Sequence, residues 1–134
     1  MPDVKSAKPC VCGRGPTLIF ACSGASDVGE ITDLAARALV RGRNGFMCCA
    51  AAIAAGIEDI VEKARAASRL VVIDGCASDC ARLIMERGGF SEFIYLQLED
   101  IGMKKGSCPL NDARIAEVVA RVRTQLEDDR SARK

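Results

Sequence analysis

Four short apolar segments alternate along the chain with segments whose hydrophobic residues recur every three or four positions. The apolar segments are PTLIFAC, FMCC, LVVID and FIYLQLE. Runs of this length without strict alternation are typical of strands buried on both faces of a parallel sheet. The intervening segments carry an apolar stripe, as at Ile31, Leu34, Ala35, Ala38 and Leu39, and this spacing predicts helices.

The repeated order of strand and helix predicts the fold class. It indicates an α/β domain of the three-layer, Rossmann-like kind, with about four parallel strands and helices on both faces. By analogy with doubly wound sheets we expect the strand order 2-1-3-4. Asp27 and Glu30 have capping-box spacing at the start of the first helix, and Asn111 is the expected cap of the last.

Composition suggests one domain between two irregular ends. Residues 1–15 are rich in proline and glycine and are expected to form an irregular arm that carries a Cys-x-Cys pair. Residues 16–127 are expected to form a single cysteine-rich metal-binding α/β domain. Residues 128–134 are expected to form a solvated tail.

Charge and hydropathy exclude several classes of partner. The 134 residues have a net charge of +1, so no basic surface for nucleic acid or acidic lipid is expected. The longest apolar stretch, residues 46–57, is too short to span a bilayer. Because the chain opens without a secretory leader, we expect a cytoplasmic protein.

Eight cysteines and no histidine narrow the chemistry further. Disulfide scaffolds belong to small secreted domains, whereas clustered thiols in a reducing compartment bind metal or carry out redox chemistry. The absence of histidine removes Cys/His and Ser/His catalytic pairs and also mixed Cys/His zinc sites. Thiolates and carboxylates are therefore the side chains left to bind a metal ion.

Four cysteines are expected to meet where the strands end. Cys22 ends the first predicted strand, Cys49 ends the second, Cys76 follows the third, and Cys80 lies in the next helical turn. The carboxyl ends of parallel strands form one edge, where such sheets hold their ligands. Helix N-termini at this edge favour the thiolate form. We predict a metal site made of these four thiolates.

The other four thiols are expected to have different roles. Cys48 alternates away from Cys49 and is expected to pack as a small hydrophobic residue. Cys108, in the loop after the fourth strand, is a candidate additional thiol. Cys10 and Cys12 are candidates for closing over the site, forming a second metal site or resolving a disulfide.

Polar residues near the same edge are candidates for support. Asp74 and Asp79 are expected to accept hydrogen bonds around the site or to cap the third helix, with capping favoured. Ser23, Gly24 and Ser26 form a small-residue turn before a helix, which is a candidate anion-binding turn.

Three motifs resemble one known family. The segments CSGASDVGE, CCAAAIAAG and above all IDGCASDCA are similar to the DGC-domain family of proposed zinc-binding proteins. The resemblance runs from about Pro16 to Val122 and includes LEDIGMKKG. It implies that the family's proposed zinc ligands correspond to the same four cysteines, at positions 22, 49, 76 and 80. Ala77 and Ala50 stand where the family pattern has proline and leucine.

Three hypotheses for the function follow. The first is a zinc-binding protein, with a closed four-cysteine site in a structural or metal-handling role rather than an enzymatic one. The second is a thiol redox or sulfur-transfer enzyme that uses Cys76 with Cys80 or Cys22. The third is an iron–sulfur cluster held by the same four thiolates. The metal ion is the expected partner, and a short edge strand leaves room for a homodimer.

Overall fold

A four-stranded parallel sheet forms the centre of the computed structural model, which describes residues 15–133. Its strands are β1 (Gly15–Ala21), β2 (Phe46–Cys48), β3 (Ala67–Asp74) and β4 (Ile94–Gln97). Its helices are α1 (Asp27–Arg41), α2 (Ala50–Ala54), α3 (Glu58–Ala66), α4 (Cys80–Arg87) and α5 (Asp112–Ala132), and a 3-10 turn (Leu98–Ile101) follows β4.

All strand pairs are parallel and the strand order is β2-β1-β3-β4. In register, Leu18 of β1 lies between Phe46 of β2 and Leu70 of β3, and Asp74 of β3 pairs with Gln97 of β4. The central strands β1 and β3 are buried on both faces over their second halves, which explains their unbroken apolar sequence. The predicted fold class and strand order are confirmed.

Successive residues of the central strands face opposite layers of helices. One hydrophobic core, the α1/α5 core, contains Ile19, Ile73, Ile31 and Val118 among its fully buried members. The second core, the α2–α4 core, lies on the other face and contains buried residues of all three of those helices and of the strands: Phe20, Val72, Ile53, Ala64 and Met85. None of the helices in the described part of the chain is long and apolar enough to cross a membrane.

The helix boundaries differ from the predicted ones at three places. The cap of α1 is Ser26, whose hydroxyl accepts a hydrogen bond from the Gly29 N–H, so the predicted capping box began one residue late. Residues 50–54, which we expected only to lead into the next helix, form a helix of their own, α2, and Gly56, with a positive φ of 69°, separates it from α3. Helix α5 continues through residues 128–132, which we expected to belong to a tail.

Two glycines allow loops at the carboxyl edge to approach the start of α1. A Cβ on Gly29 would lie 2.5 Å from the carbonyl oxygen of Gly24, in the loop after β1. A Cβ on Gly75, the residue after β3, would lie 2.9 Å from the carbonyl carbon of Val28. The absence of a side chain at both positions therefore brings the ends of β1 and β3 against the first turn of α1.

Asp27 fixes a third loop to the same turn. Its carboxylate accepts hydrogen bonds from the N–H groups of Gly106 and Cys108 at 3.0 Å, and from Val28 at 2.8 Å. Donation by Gly106, and next by Cys108, lowers the pKa of Asp27 below its usual value. The loop that precedes α5 is thereby held beside the ends of the strands.

Replacing Gly29 by alanine tests the close approach. Alanine normally stabilises a helix relative to glycine, by about 0.5–1 kcal/mol. We expect Gly29→Ala instead to lower the free energy of unfolding by about 1–3 kcal/mol, because the added carbon overlaps the neighbouring backbone. Urea unfolding measures this quantity. Gly24→Ala is the matched control, since its Cβ would meet only the Cys22 sulfur at 4.0 Å. Equal stability of the two variants would contradict the packing described.

The lowered pKa of Asp27 predicts a dependence of stability on pH. Because the folded state favours the ionised form, this contribution is present above the unfolded pKa of about 3.9 and is lost as the pH falls through the folded pKa. We expect the wild type to lose more free energy of unfolding between pH 7 and pH 3 than Asp27→Asn does. Asp100→Asn, which removes an exposed charge, is the control and should follow the wild type. Identical losses in wild type and Asp27→Asn would refute the expectation.

Candidate thiol site at the carboxyl edge of the sheet

The cysteines between residues 15 and 133 are free thiols, and all but Cys108 lie at the carboxyl end of a strand or in the turn that follows it. Their positions follow the strands in order: Cys22 after β1, Cys48 and Cys49 at the end of β2, Cys76 and Cys80 after β3, and Cys108 after β4. The predicted placement of these residues along the fold is therefore observed. Cys10 and Cys12 lie outside the described residues.

Cys22 contacts the first two turns of α1. Its sulfur lies 3.4 Å from the hydroxyl oxygen of Thr32, a fully buried residue. That hydroxyl donates to the Gly29 carbonyl oxygen at 2.7 Å and accepts from the Ser23 N–H at 3.1 Å. Thr32 thus ties the loop after β1 to the helix. The sequence analysis missed it, although a threonine on the apolar face of a helix is a detectable signal.

Asp74, buried at the end of β3, caps the helix that carries Cys80. One carboxylate oxygen accepts from the Ala81 N–H at 2.8 Å and the other from the Arg82 N–H at 2.9 Å. These are early backbone donors of α4, which have no partner inside the helix. Asp79 occupies the capping position itself and makes no such bond. Of the two predicted capping residues, only Asp74 caps.

Asp79 is bonded to the neighbouring strand instead. Its carboxylate accepts hydrogen bonds from the Tyr95 hydroxyl at 2.7 Å, from the Gln97 amide and from the Arg82 guanidinium. These donors lower the pKa of Asp79, with Tyr95 making the largest contribution. Burial and the two neighbouring carboxylates, Asp79 and Asp74, raise the pKa of Tyr95 well above its usual range. Tyr95 and Gln97 were missed, although they are polar residues spaced two apart at the end of a strand.

Cys48, Cys49 and Cys108 have three different environments. Cys49 is exposed at the residue before α2. Cys48 packs partly buried against the α2–α4 core, and burial raises the pKa of its thiol, so it resembles a small hydrophobic residue as expected. Cys108 is buried in the α1/α5 core, with 3% of its surface exposed. Cys108 is therefore enclosed by apolar side chains, unlike the exposed thiols of Cys49 and Cys80.

Several polar groups of the predicted anion-binding turn are hydrogen-bonded within the protein. The Ser26 hydroxyl accepts from the Gly29 N–H, and the Ser23 hydroxyl donates to Asp33 at 2.8 Å. The N–H groups of Ser23 and Val28 donate to side chains of the same helix. Gly24 is exposed beside them. Anion binding at this turn stays a prediction.

Thiolate sulfur atoms at the carboxyl edge of the sheet, here called the thiol edge (Cys22, Cys49, Cys76 and Cys80), are ligands that suit a borderline or soft metal ion such as zinc. Among residues 15–133, however, no three cysteine, aspartate or glutamate side chains are arranged to hold one ion together. Cys22 packs against the α2–α4 core, whereas Cys76 packs against the α1/α5 core on the opposite face. A shared ion would therefore require rotation of these side chains or movement of their loops.

Comparison with known proteins places the chain in one family. A family model described as the DGC domain matches residues 18–122. The chain is also similar to the "Anaerobic and virulence modulator AnvM" of Pseudomonas aeruginosa, with 30% identity over 99 residues that cover 72% of this chain and 76% of the relative. No solved structure matches the chain.

The matched segment begins in β1 and ends in α5, so it includes all four strands and every described cysteine. The DGC tripeptide itself is Asp74, Gly75 and Cys76: the capping carboxylate, the close-packed glycine and a thiol at the sheet edge. The chain belongs to the DGC-domain family.

Proposed function

We propose that this protein binds one zinc ion through the thiolates of Cys22, Cys49, Cys76 and Cys80. The observation that supports the proposal is the placement of Cys22, Cys49, Cys76 and Cys80 beyond the carboxyl ends of three neighbouring strands, in a chain that has no histidine. Cys49 and Cys80 are also exposed, whereas a cysteine that serves only as a small hydrophobic residue would be buried in a core, as Cys108 is.

A divalent ion would itself keep its thiol ligands ionised, since a coordinating thiol is deprotonated. Cys80 is the first residue of α4, whose early N–H groups at Ala81 and Arg82 donate to Asp74. Four thiolates on a divalent ion would leave a net charge of about −2. A site with four cysteine ligands has no open position for water, so the bound ion would stabilise the loops rather than activate a substrate.

We further propose a regulatory or metal-handling role rather than catalysis. The relative from Pseudomonas aeruginosa is described as an anaerobic and virulence modulator. The described thiols are not arranged to share an ion, so binding one would require them to move. The protein would then differ in conformation between its metal-free and metal-bound states, which is the difference that a regulatory role would use.

A thiol redox function is the second candidate. Cys80 is exposed and Cys76 is partly buried, and they flank the same turn at a helix N-terminus. In this role the two thiols would reduce a disulfide in a second protein. They would pass two electrons and two protons to it and would themselves be oxidised to a disulfide. The same pair cannot serve both functions at once, so metal content distinguishes them.

The first test is elemental analysis of untagged protein purified under anaerobic, reducing conditions. We expect one zinc per chain in the wild type and loss of zinc in Cys49→Ser, because three thiolates hold the ion less tightly than four. Cys48→Ala is the matched control: it removes the adjacent thiol, which packs against the core, and should retain zinc. Cys12→Ser should also retain it.

Other results would redirect the proposal. Iron with an equal amount of sulfide would assign a cluster to the four thiolates. Metal-free protein in which Cys76 or Cys80 alkylates at neutral pH would reject the zinc site and favour the redox function. Zinc that is lost from Cys48→Ala but kept by Cys49→Ser would show that the ligand set is wrong.

A further inference from the structure

We infer that Asp79 is a positioning residue, through which β4 fixes the turn that carries Cys76 and Cys80. The inference rests on the proposed metal site, for which these two cysteines supply half of the ligands. Asp79 lies between them, one residue before Cys80, and it contacts β4 rather than the helix that it precedes.

The backbone of Asp79 is in an uncommon conformation. Its φ of 53° and ψ of 37° are left-handed, a region that a residue with a Cβ adopts only at a cost, although aspartate and asparagine tolerate it better than most. The turn is closed by a hydrogen bond of 3.2 Å from the Asp79 N–H to the Cys76 carbonyl oxygen. An unfavourable conformation persists where surrounding contacts enforce it, and such residues concentrate at functional sites.

The enforcing contacts are made by the side chain. An aspartate at the start of a helix ordinarily accepts the helix's own N–H groups, but Asp74 already occupies those donors. The Asp79 carboxylate, 16% exposed, is therefore free to accept from Tyr95 and Gln97. Arg82 completes the group: it donates to Asp79, and its guanidinium carbon lies 5.6 Å from the centre of the Tyr95 ring.

These contacts connect the turn to the sheet. Gln97 pairs with Asp74 in the sheet, and the Tyr95 hydroxyl lies 3.0 Å from an Asp74 oxygen. The position of β4 therefore determines where the carboxylate of Asp79 lies, and the carboxylate determines the path of the chain between the two cysteines. Groups that orient metal ligands without touching the metal commonly change its affinity by 10–100-fold.

Three variants of Asp79 distinguish the contribution of its side chain from that of its backbone conformation. Asp79→Gly adopts the left-handed conformation freely but lacks the carboxylate. Asp79→Asn tolerates that conformation and keeps an acceptor for Tyr95. Asp79→Ala loses both properties. Tyr95→Phe removes one donor from the other side of the contact and leaves the ring over Arg82 in place.

The experiment measures binding of Co²⁺, a coloured substitute for zinc, to reduced full-length protein by its thiolate charge-transfer absorbance, with urea unfolding of the metal-free variants alongside. If the side chain positions the cysteines, Asp79→Gly weakens Co²⁺ binding about 10–100-fold and changes the absorbance spectrum. Asp79→Asn stays close to the wild type, and Tyr95→Phe falls between them. A loss of affinity that merely follows the loss of stability across the variants would overturn the inference.

Hydrogen exchange of the metal-free protein separates this inference from the zinc proposal. Faster exchange of the amides between residues 76 and 80 in Asp79→Gly and Tyr95→Phe supports the positioning role, whether or not the wild type binds a metal. Unchanged exchange, or wild-type Co²⁺ affinity in Asp79→Gly, overturns it and leaves the four-cysteine site intact. A wild type that binds neither zinc nor cobalt rejects the metal site alone.

Discussion

The buried carboxylate of Asp74 is the interaction on which the carboxyl edge of the sheet depends. It is 1% exposed at the end of a central strand, where an ionised group without partners would be strongly unfavourable. Its hydrogen-bond donors are the N–H groups of Ala81 and Arg82 in the first turn of α4, while the Tyr95 hydroxyl, whose proton is donated to Asp79, lies 3.0 Å away. Satisfying this carboxylate therefore fixes where α4 begins relative to the end of β3. The turn that carries Cys76 and Cys80 lies between those two points.

The start of α1 plays a comparable part on the other face. It receives the loop after β1 through Gly29, the residue after β3 at Gly75, and the loop before α5 through Asp27. Three loops that are distant in sequence are thus packed around one helical turn. Because the interior is closely packed, a side chain added at either glycine would push one of these loops away from the helix. The motifs that identify the family are, in physical terms, contacts that assemble the edge of the sheet.

The sequence predicted the elements that depend on periodicity and missed those that depend on individual side chains. Unbroken apolar runs and helical spacing were sufficient for the four parallel strands, and strand ends were sufficient to locate Cys22, Cys49 and Cys76 along one edge. Alternation along β2 was sufficient to predict that Cys48 packs against a core, but the packing of Cys22 and Cys76 against opposite cores was not predicted, because both lie beyond the regular part of their strands. The bonds of Asp79 to β4 were equally hidden, since they join residues 16 and 18 positions apart. The helical end of α5 was missed because its charged sequence resembles a solvated tail, while Asp129 forms ion pairs with Arg69 and Arg133.

Because β2 has only three residues, the cysteine that follows it is held by fewer backbone bonds than the cysteines that follow β3. Cys76 and Cys80 lie beside a central strand of eight residues and are surrounded by side-chain hydrogen bonds. Cys49 follows an edge strand that pairs with β1 over only three positions and leads into a five-residue helix. Segments with few backbone bonds open locally at low free energy. If the four thiols rearranged to share an ion, Cys49 would therefore move the most. Cys76 and Cys80, beside β3, would keep their positions.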